Sequence, residues 1–190
     1  MAEKKEVLLK SLRMLLEYPK LVSHKGGYIH YDDYQRLHRT YIRAYKQLYE
    51  DVAAFSILPE RFIHQAEPII EKYLEDYKLT EASDQKQWLR VITDFISRFY
   101  EFMDEATEMF TEHQSLADET YAFLQRVSLL EAKYNEDKSR ESEQEFVKLI
   151  PELHHLATCL KVVREAVDST SARLQNLEPV WQDIKGKINR

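Results

Sequence analysis

The strongest constraint on this chain is a seam of apolar residues running from Phe146 to Ile188. With Phe146 at heptad position a, the a and d positions read Phe146, Leu149, Leu153, Leu156, Leu160, Val163, Val167, Thr170, Leu174, Leu177, Trp181, Ile184 and Ile188. All but Thr170 are large and apolar, at spacings that alternate three and four. A helix with such a stripe must bury it against other helices, because only an apolar partner removes it from water. A second seam precedes it. Asp84 to Tyr134 contains no Gly or Pro, and Ile92, Phe95, Phe99, Phe102, Ala106, Met109, His113, Leu116, Thr120, Phe123, Val127, Leu130 and Tyr134 keep the same rhythm. Between the seams, Asn135 to Glu141 is a charged tip without an apolar residue. So short a tip predicts an antiparallel hairpin. Ser142 with Glu145 reads as the capping box of the last helix. Pro151 and Pro179 fall at the outward f position, and Pro151 is deep enough to kink that helix.

The N-terminal third predicts three shorter helices. The first spans about Lys4 to Glu17, with Val7, Leu8, Leu12, Leu15 and Leu16 on one stripe, and Pro19 stops it. Tyr18 to Tyr31, containing Gly26-Gly27, reads as a loop. Asp32, with Gln35 three residues on, is the expected cap of a second helix reaching about Phe55 along Tyr34, Leu37 or His38, Tyr41, Tyr45, Leu48 and Val52. Pro59 suits the first turn of a third helix, Glu60 to Tyr77, which Pro68 breaks or kinks. Its apolar side is Phe62, Ile63, Ala66, Ile69, Ile70, Tyr73, Leu74 and Tyr77. Lys78 to Ser83 is a polar connection, and Asp84 with Gln87 a capping pair.

The fold expected is all-α: an elongated helical bundle built on a long antiparallel, coiled-coil-like C-terminal hairpin, with three shorter N-terminal helices. Elongation follows from size. A helix of about 43 residues is about 65 Å long, whereas a compact chain of 190 residues is roughly 42 Å across. One helical domain is expected over residues 1–190, with residues 1–80 packing on a hairpin of residues 84–190.

Composition narrows the classes further. Hydrophobic residues at 44% and charged residues at 32% fit neither a disordered nor a membrane-embedded chain. No apolar run approaches the about 18 residues a membrane span needs. Lys10 and Arg13 interrupt Val7 to Leu16, so no signal-peptide core is expected there. The lone Cys159 cannot form an internal disulfide, and the expected home is reducing and cytoplasmic. The net charge of −6 conceals an asymmetry. Residues 1–50 hold ten Lys/Arg against six Asp/Glu, and the remainder seventeen against twenty-seven. That polarity can steer an anionic partner to the N-terminal end, or simply set basic helices beside acidic ones.

Candidate sites are few. The most unusual composition is Lys25, Gly26, Gly27, Tyr28 and His30, followed by Arg36, Arg39, Arg43 and Lys46 among tyrosines. Basic groups interleaved with aromatics can pair with phosphates and stack on bases. The plainer reading is a buried tyrosine face with a solvated arginine face. His113 occupies an a position. It can serve as a ligand or pH switch, but the reading preferred is a polar seam residue that pairs across the interface and fixes register. Glu152 and His155 have metal-ligand spacing yet face outward, and read as a surface pair with His154 beside them. Glu101, Glu105, Glu108 and Glu112 flank the α-helical seam as pairing charges. No nucleotide, catalytic or metal motif is present, no cofactor is expected, and Cys159 lacks the basic neighbourhood of a nucleophile.

The function expected is therefore non-enzymatic: a protein–protein interaction module, acting as scaffold, adaptor or regulatory subunit toward a protein partner or a second copy in a homodimer. The alternative is nucleic-acid or other polyanion binding through residues 25–46. A lesser one is a metal-dependent helical-bundle enzyme using His113, the glutamates and Glu152/His155.

Overall fold

The computed structural model describes Glu6, Lys10 and residues 13–17, 30–77 and 84–188, with the backbone alone at 59, 60, 63, 69, 70, 72–77, 84–89, 187 and 188. The stripe residues Val7, Leu8 and Leu12, the loop at Gly26-Gly27, the side chains of Ile63, Ile69 and Ile70, and the Asp84/Gln87 pair lie outside that description. Among the described residues, four helices with defined bounds follow one another: α1 (Tyr31–Tyr77), α2 (Asp84–Glu136), α3 (Arg140–Val147) and α4 (Ile150–Ile188). Residues 13–17 are also helical, with Leu15 buried. No strand occurs among the described residues, and none of their helices is long and apolar enough to cross a membrane. The chain is an all-α helical bundle.

The seams expected from the sequence are the core. On α3 and α4, Leu149 is half-buried and every other a or d position from Phe146 to Ile184 is buried. On α2, Phe99, His113, Leu130 and Tyr134 are half-buried and the other positions from Ile92 to Val127 are buried. The polar exception Thr170 keeps its hydroxyl satisfied by donating to the Ala166 carbonyl at 2.7 Å.

Two compact units make up the chain, Met1–Glu50 with Thr111–Arg164, and Asp51–Phe110 with Glu165–Arg190. Each long helix contributes a segment to each unit. In the first, His38 meets Phe123 and Tyr49 meets His113, at ring separations of 5.8 and 5.9 Å, so α1 and α2 run antiparallel. Tyr134 meets Phe146 at 6.0 Å, while His155 reaches Glu119, so α2 and α4 are antiparallel as well. In the second unit, Trp181 of α4 packs on Phe62 of α1 and Phe95 of α2 at 5.9 and 5.7 Å.

Three local expectations are corrected. First, α1 is one helix through both Pro59 and Pro68, where a break was expected. An interior proline costs about 3 kcal/mol. Val52, Phe55, Phe62 and Ala66 are nevertheless buried on one stripe in register on both sides of Pro59. Burying one phenylalanine contributes about 1.5–3 kcal/mol, so two of them outweigh one missing hydrogen bond. Secondly, α1 opens at Tyr31, and Asp33 rather than Asp32 caps it, accepting from the His30 N–H at 3.1 Å. Thirdly, the last helix is interrupted at Lys148 and Leu149. Pro151 has no N–H to reach back to the Val147 carbonyl, and α3 ends at that residue. Its N-cap is Ser139, whose Oγ accepts from the Ser142 N–H at 3.2 Å. Ser142 is instead buried within α3, and Glu145 pairs with Lys148. Pro179 is exposed inside α4, as its f position requires.

Candidate functional site

The polar members of the seams come first, because burial changes their chemistry. Thr120 and Tyr41 share a buried hydroxyl–hydroxyl hydrogen bond of 2.5 Å between α2 and α1. Burial pushes the Tyr41 hydroxyl well above the ordinary tyrosine range. His113 rests against Tyr49, and its buried Nε2 has no hydrogen-bond partner among the described residues. His38 stacks on Tyr34 at 5.6 Å, with Nε2 likewise unpartnered. Burial lowers the pKa of both imidazoles, at His38 against an opposing pull from Glu131.

The basic segment divides. Lys25, Gly26, Gly27 and Tyr28 lie outside the described residues, whereas His30, Arg36, Arg39, Arg43 and Lys46 are all exposed. At spacings of three and four the arginines and Lys46 form one ridge of α1. Arg36 pairs with Asp33 at 3.4 Å, while Arg39 and Arg43 make no ion pair among the described residues. All three arginines border a shallow depression of about 400 Å³ beside Gln35 and Thr40.

The second unit carries a more apolar feature that sequence reasoning missed. Phe55, Leu58 and Phe62 of α1 and Leu174 of α4 line a groove of about 470 Å³, with Arg61 and Glu178 on its rims. Leu58 and its neighbour Ile57 are about half exposed, at 49% and 50%. Exposed apolar residues next to Pro59 were the available signal; the pairing of α1 with α4 was not readable from spacing.

Charges join α2 to α4. Arg126 pairs with Glu152 in the first unit. In the second, Arg173 reaches Glu101 at 3.1 Å and Glu105 at 2.7 Å, the latter a charge contact off the N–H axis. Glu101 and Glu105 thus act as pairing charges, as their positions beside the seam suggest. Glu152 and His155 do not pair with each other. His155 Nε2 lies 3.2 Å from Glu119 Oε2 and 3.7 Å from Cys159 Sγ. Burial, reinforced by the Glu119 charge, raises the Cys159 thiol above its ordinary value. The missed signal here was His155-x-x-x-Cys159, two soft-to-borderline donors one helical turn apart; Glu119 joins them only through the hairpin register.

Compared with protein-family models, curated proteins and solved structures, the chain shows no significant similarity to any of them.

Proposed function

We propose that this chain is a non-enzymatic interaction module of the reducing cytoplasm, which binds an amphipathic helix of a protein partner. The reading rests on the groove of the second unit. Its walls are two helices, its floor is Phe55, Phe62 and Leu174, and its rims are charged and polar. An apolar strip between helices, rimmed by polar groups, suits the apolar face of a third helix. Arg61 and Glu178 favour a partner with an acid and a base flanking its apolar positions.

Leu58→Glu tests this directly, since Leu58 is exposed and its replacement leaves the core intact. Proteins retained by the wild-type chain but not by this variant are identified, and the retained segment is synthesised and titrated calorimetrically. A saturable association that the variant loses, with gain of helix signal, is the expected outcome. If no protein distinguishes two equally folded baits, the groove is not an interface. Retention of a second copy of this chain alone would make it a homodimer contact instead of a site for another protein.

The second reading, polyanion binding by the α1 ridge, is favoured by Arg39 and Arg43 lacking acidic partners among the described residues. It requires affinity for nucleic acid that falls steeply with salt and with Arg39→Ala/Arg43→Ala. Absence of retention on nucleic acid at low ionic strength removes it.

A further inference from the structure

We propose that Glu119, His155 and Cys159 form a binding site for one zinc-class divalent ion, which ties α2 to α4. The three donor atoms, one carboxylate oxygen, one imidazole nitrogen and one thiol sulfur, all lie within 4.8 Å of one another. Zinc bonds of about 2.0–2.2 Å to nitrogen and oxygen and about 2.3 Å to sulfur place tetrahedral ligands about 3.4 Å apart for N···O and about 3.6 Å for N···S. The observed separations are 3.2 Å between His155 Nε2 and Glu119 Oε2, and 3.7 Å between His155 Nε2 and Cys159 Sγ. Two edges of a coordination tetrahedron are therefore already in place, and only small side-chain rotations are needed to centre an ion.

The backbone holds this arrangement. His155 and Cys159 are four residues apart on α4 and so share one face. Between them and the core run Leu156 and Leu160, both buried, which fix the rotation of the helix. On α2, Glu119 stands next to Thr120, locked by its hydrogen bond to Tyr41. The side chains themselves remain accessible, His155 at 64% and Glu119 at 44%, so an ion enters directly from solvent. A hydrogen-bonded Glu–His pair at such exposure contributes little by itself; the thiol gives the cluster its selectivity. One sulfur, one imidazole and one carboxylate suit zinc and cobalt(II), whereas magnesium and calcium take oxygen ligands in larger shells. Three protein ligands leave a fourth position for water. On binding, the Cys159 S–H bond breaks, its proton leaves to solvent, and the sulfur pair forms the metal–thiolate bond.

Cobalt(II) added to the reduced, untagged, chelator-treated chain provides the test. The expected result is one ion per chain, a thiolate-to-cobalt band in the near ultraviolet, intense visible bands of a tetrahedral site, and displacement of both by zinc. Cys159→Ser removes the near-ultraviolet band. His155→Ala and Glu119→Gln each lower affinity by more than the about 10–100-fold that loss of an outer hydrogen bond costs. His154→Ala, one residue away, leaves the spectrum unchanged. Zinc also raises the unfolding temperature of the wild type but not of His155→Ala. No near-ultraviolet band on titration, or the same band and affinity in His155→Ala and Glu119→Gln, overturns the proposal; circular dichroism establishes that each variant is folded.

Discussion

At the scale of single residues, the buried polar groups decide how stability responds to substitution and to pH. Thr120→Val leaves the Tyr41 hydroxyl buried without a partner, and costs about 1–3 kcal/mol. Removing both hydroxyls in Tyr41→Phe/Thr120→Val leaves no orphaned group, so urea denaturation should find the double variant more stable than Thr120→Val alone. If the double variant loses the sum of the single effects, the 2.5 Å hydrogen bond is not coupling the helices. His38 and His113 carry the pH response. Burial holds both pKa values below the ordinary histidine value of about 6.5. Below about pH 6.5 the unfolded chain takes up protons at both positions before the folded chain does. Their contribution is thus fully present above that pH and is lost as pH falls toward the lower folded values. Urea midpoints measured at about pH 7.5 and about pH 5.5 should fall with acid, and fall less in His38→Phe/His113→Phe. An equal fall in both proteins would assign the acid loss to groups other than these two histidines.

Helices add constraints that no single residue shows, and the prolines separate them. Pro179 sits inside α4 yet is exposed, so its ring adds no core contact and its missing N–H weakens the helix. Pro179→Ala should stabilise the chain by about 1–3 kcal/mol, read as a raised urea midpoint; an unchanged or lowered midpoint would mean that the proline serves packing. At the start of α3, Ser139→Ala should cost about 1 kcal/mol. Glu145→Gln should cost much less than that, because Glu145 belongs to an exposed pair with Lys148 rather than to the cap. Reversed magnitudes would restore the Ser142/Glu145 box. These contrasts also mark what the sequence made legible. Heptad spacing located nearly every core residue of α2 and α4, because a period near 3.5 is dictated by one buried face. It did not anticipate the unbroken α1, where the phase of Phe55 and Phe62 overrides Pro59. Nor could it bring Glu119 to His155 and Cys159, or Leu174 to Leu58, since those meetings depend on how helices far apart in the chain are aligned.

For the whole molecule, the question is whether folding needs more than one copy. Heptad seams are silent on this, as the same stripe satisfies a neighbour in its own chain or in another. Here the described seam positions of α2 and α4, through Ile184, are buried or half-buried by helices of the same chain, with α1 supplying Tyr34, Leu37, Tyr41, Leu48, Phe55 and Phe62 to the same cores. Burial within one chain leads to the expectation that folding does not depend on a second copy. The urea midpoint and the helix signal should therefore stay constant over about a hundredfold range of chain concentration, whereas an obligate dimer loses stability on dilution by mass action. Any self-association must then arise at surfaces outside the seams. Leu58→Glu should abolish it without moving the midpoint if the groove is the contact, and sedimentation velocity on both proteins reads this out. A midpoint that climbs with concentration in the wild type would instead place part of the core between chains, and would move the search for a partner away from the groove and toward the seams themselves.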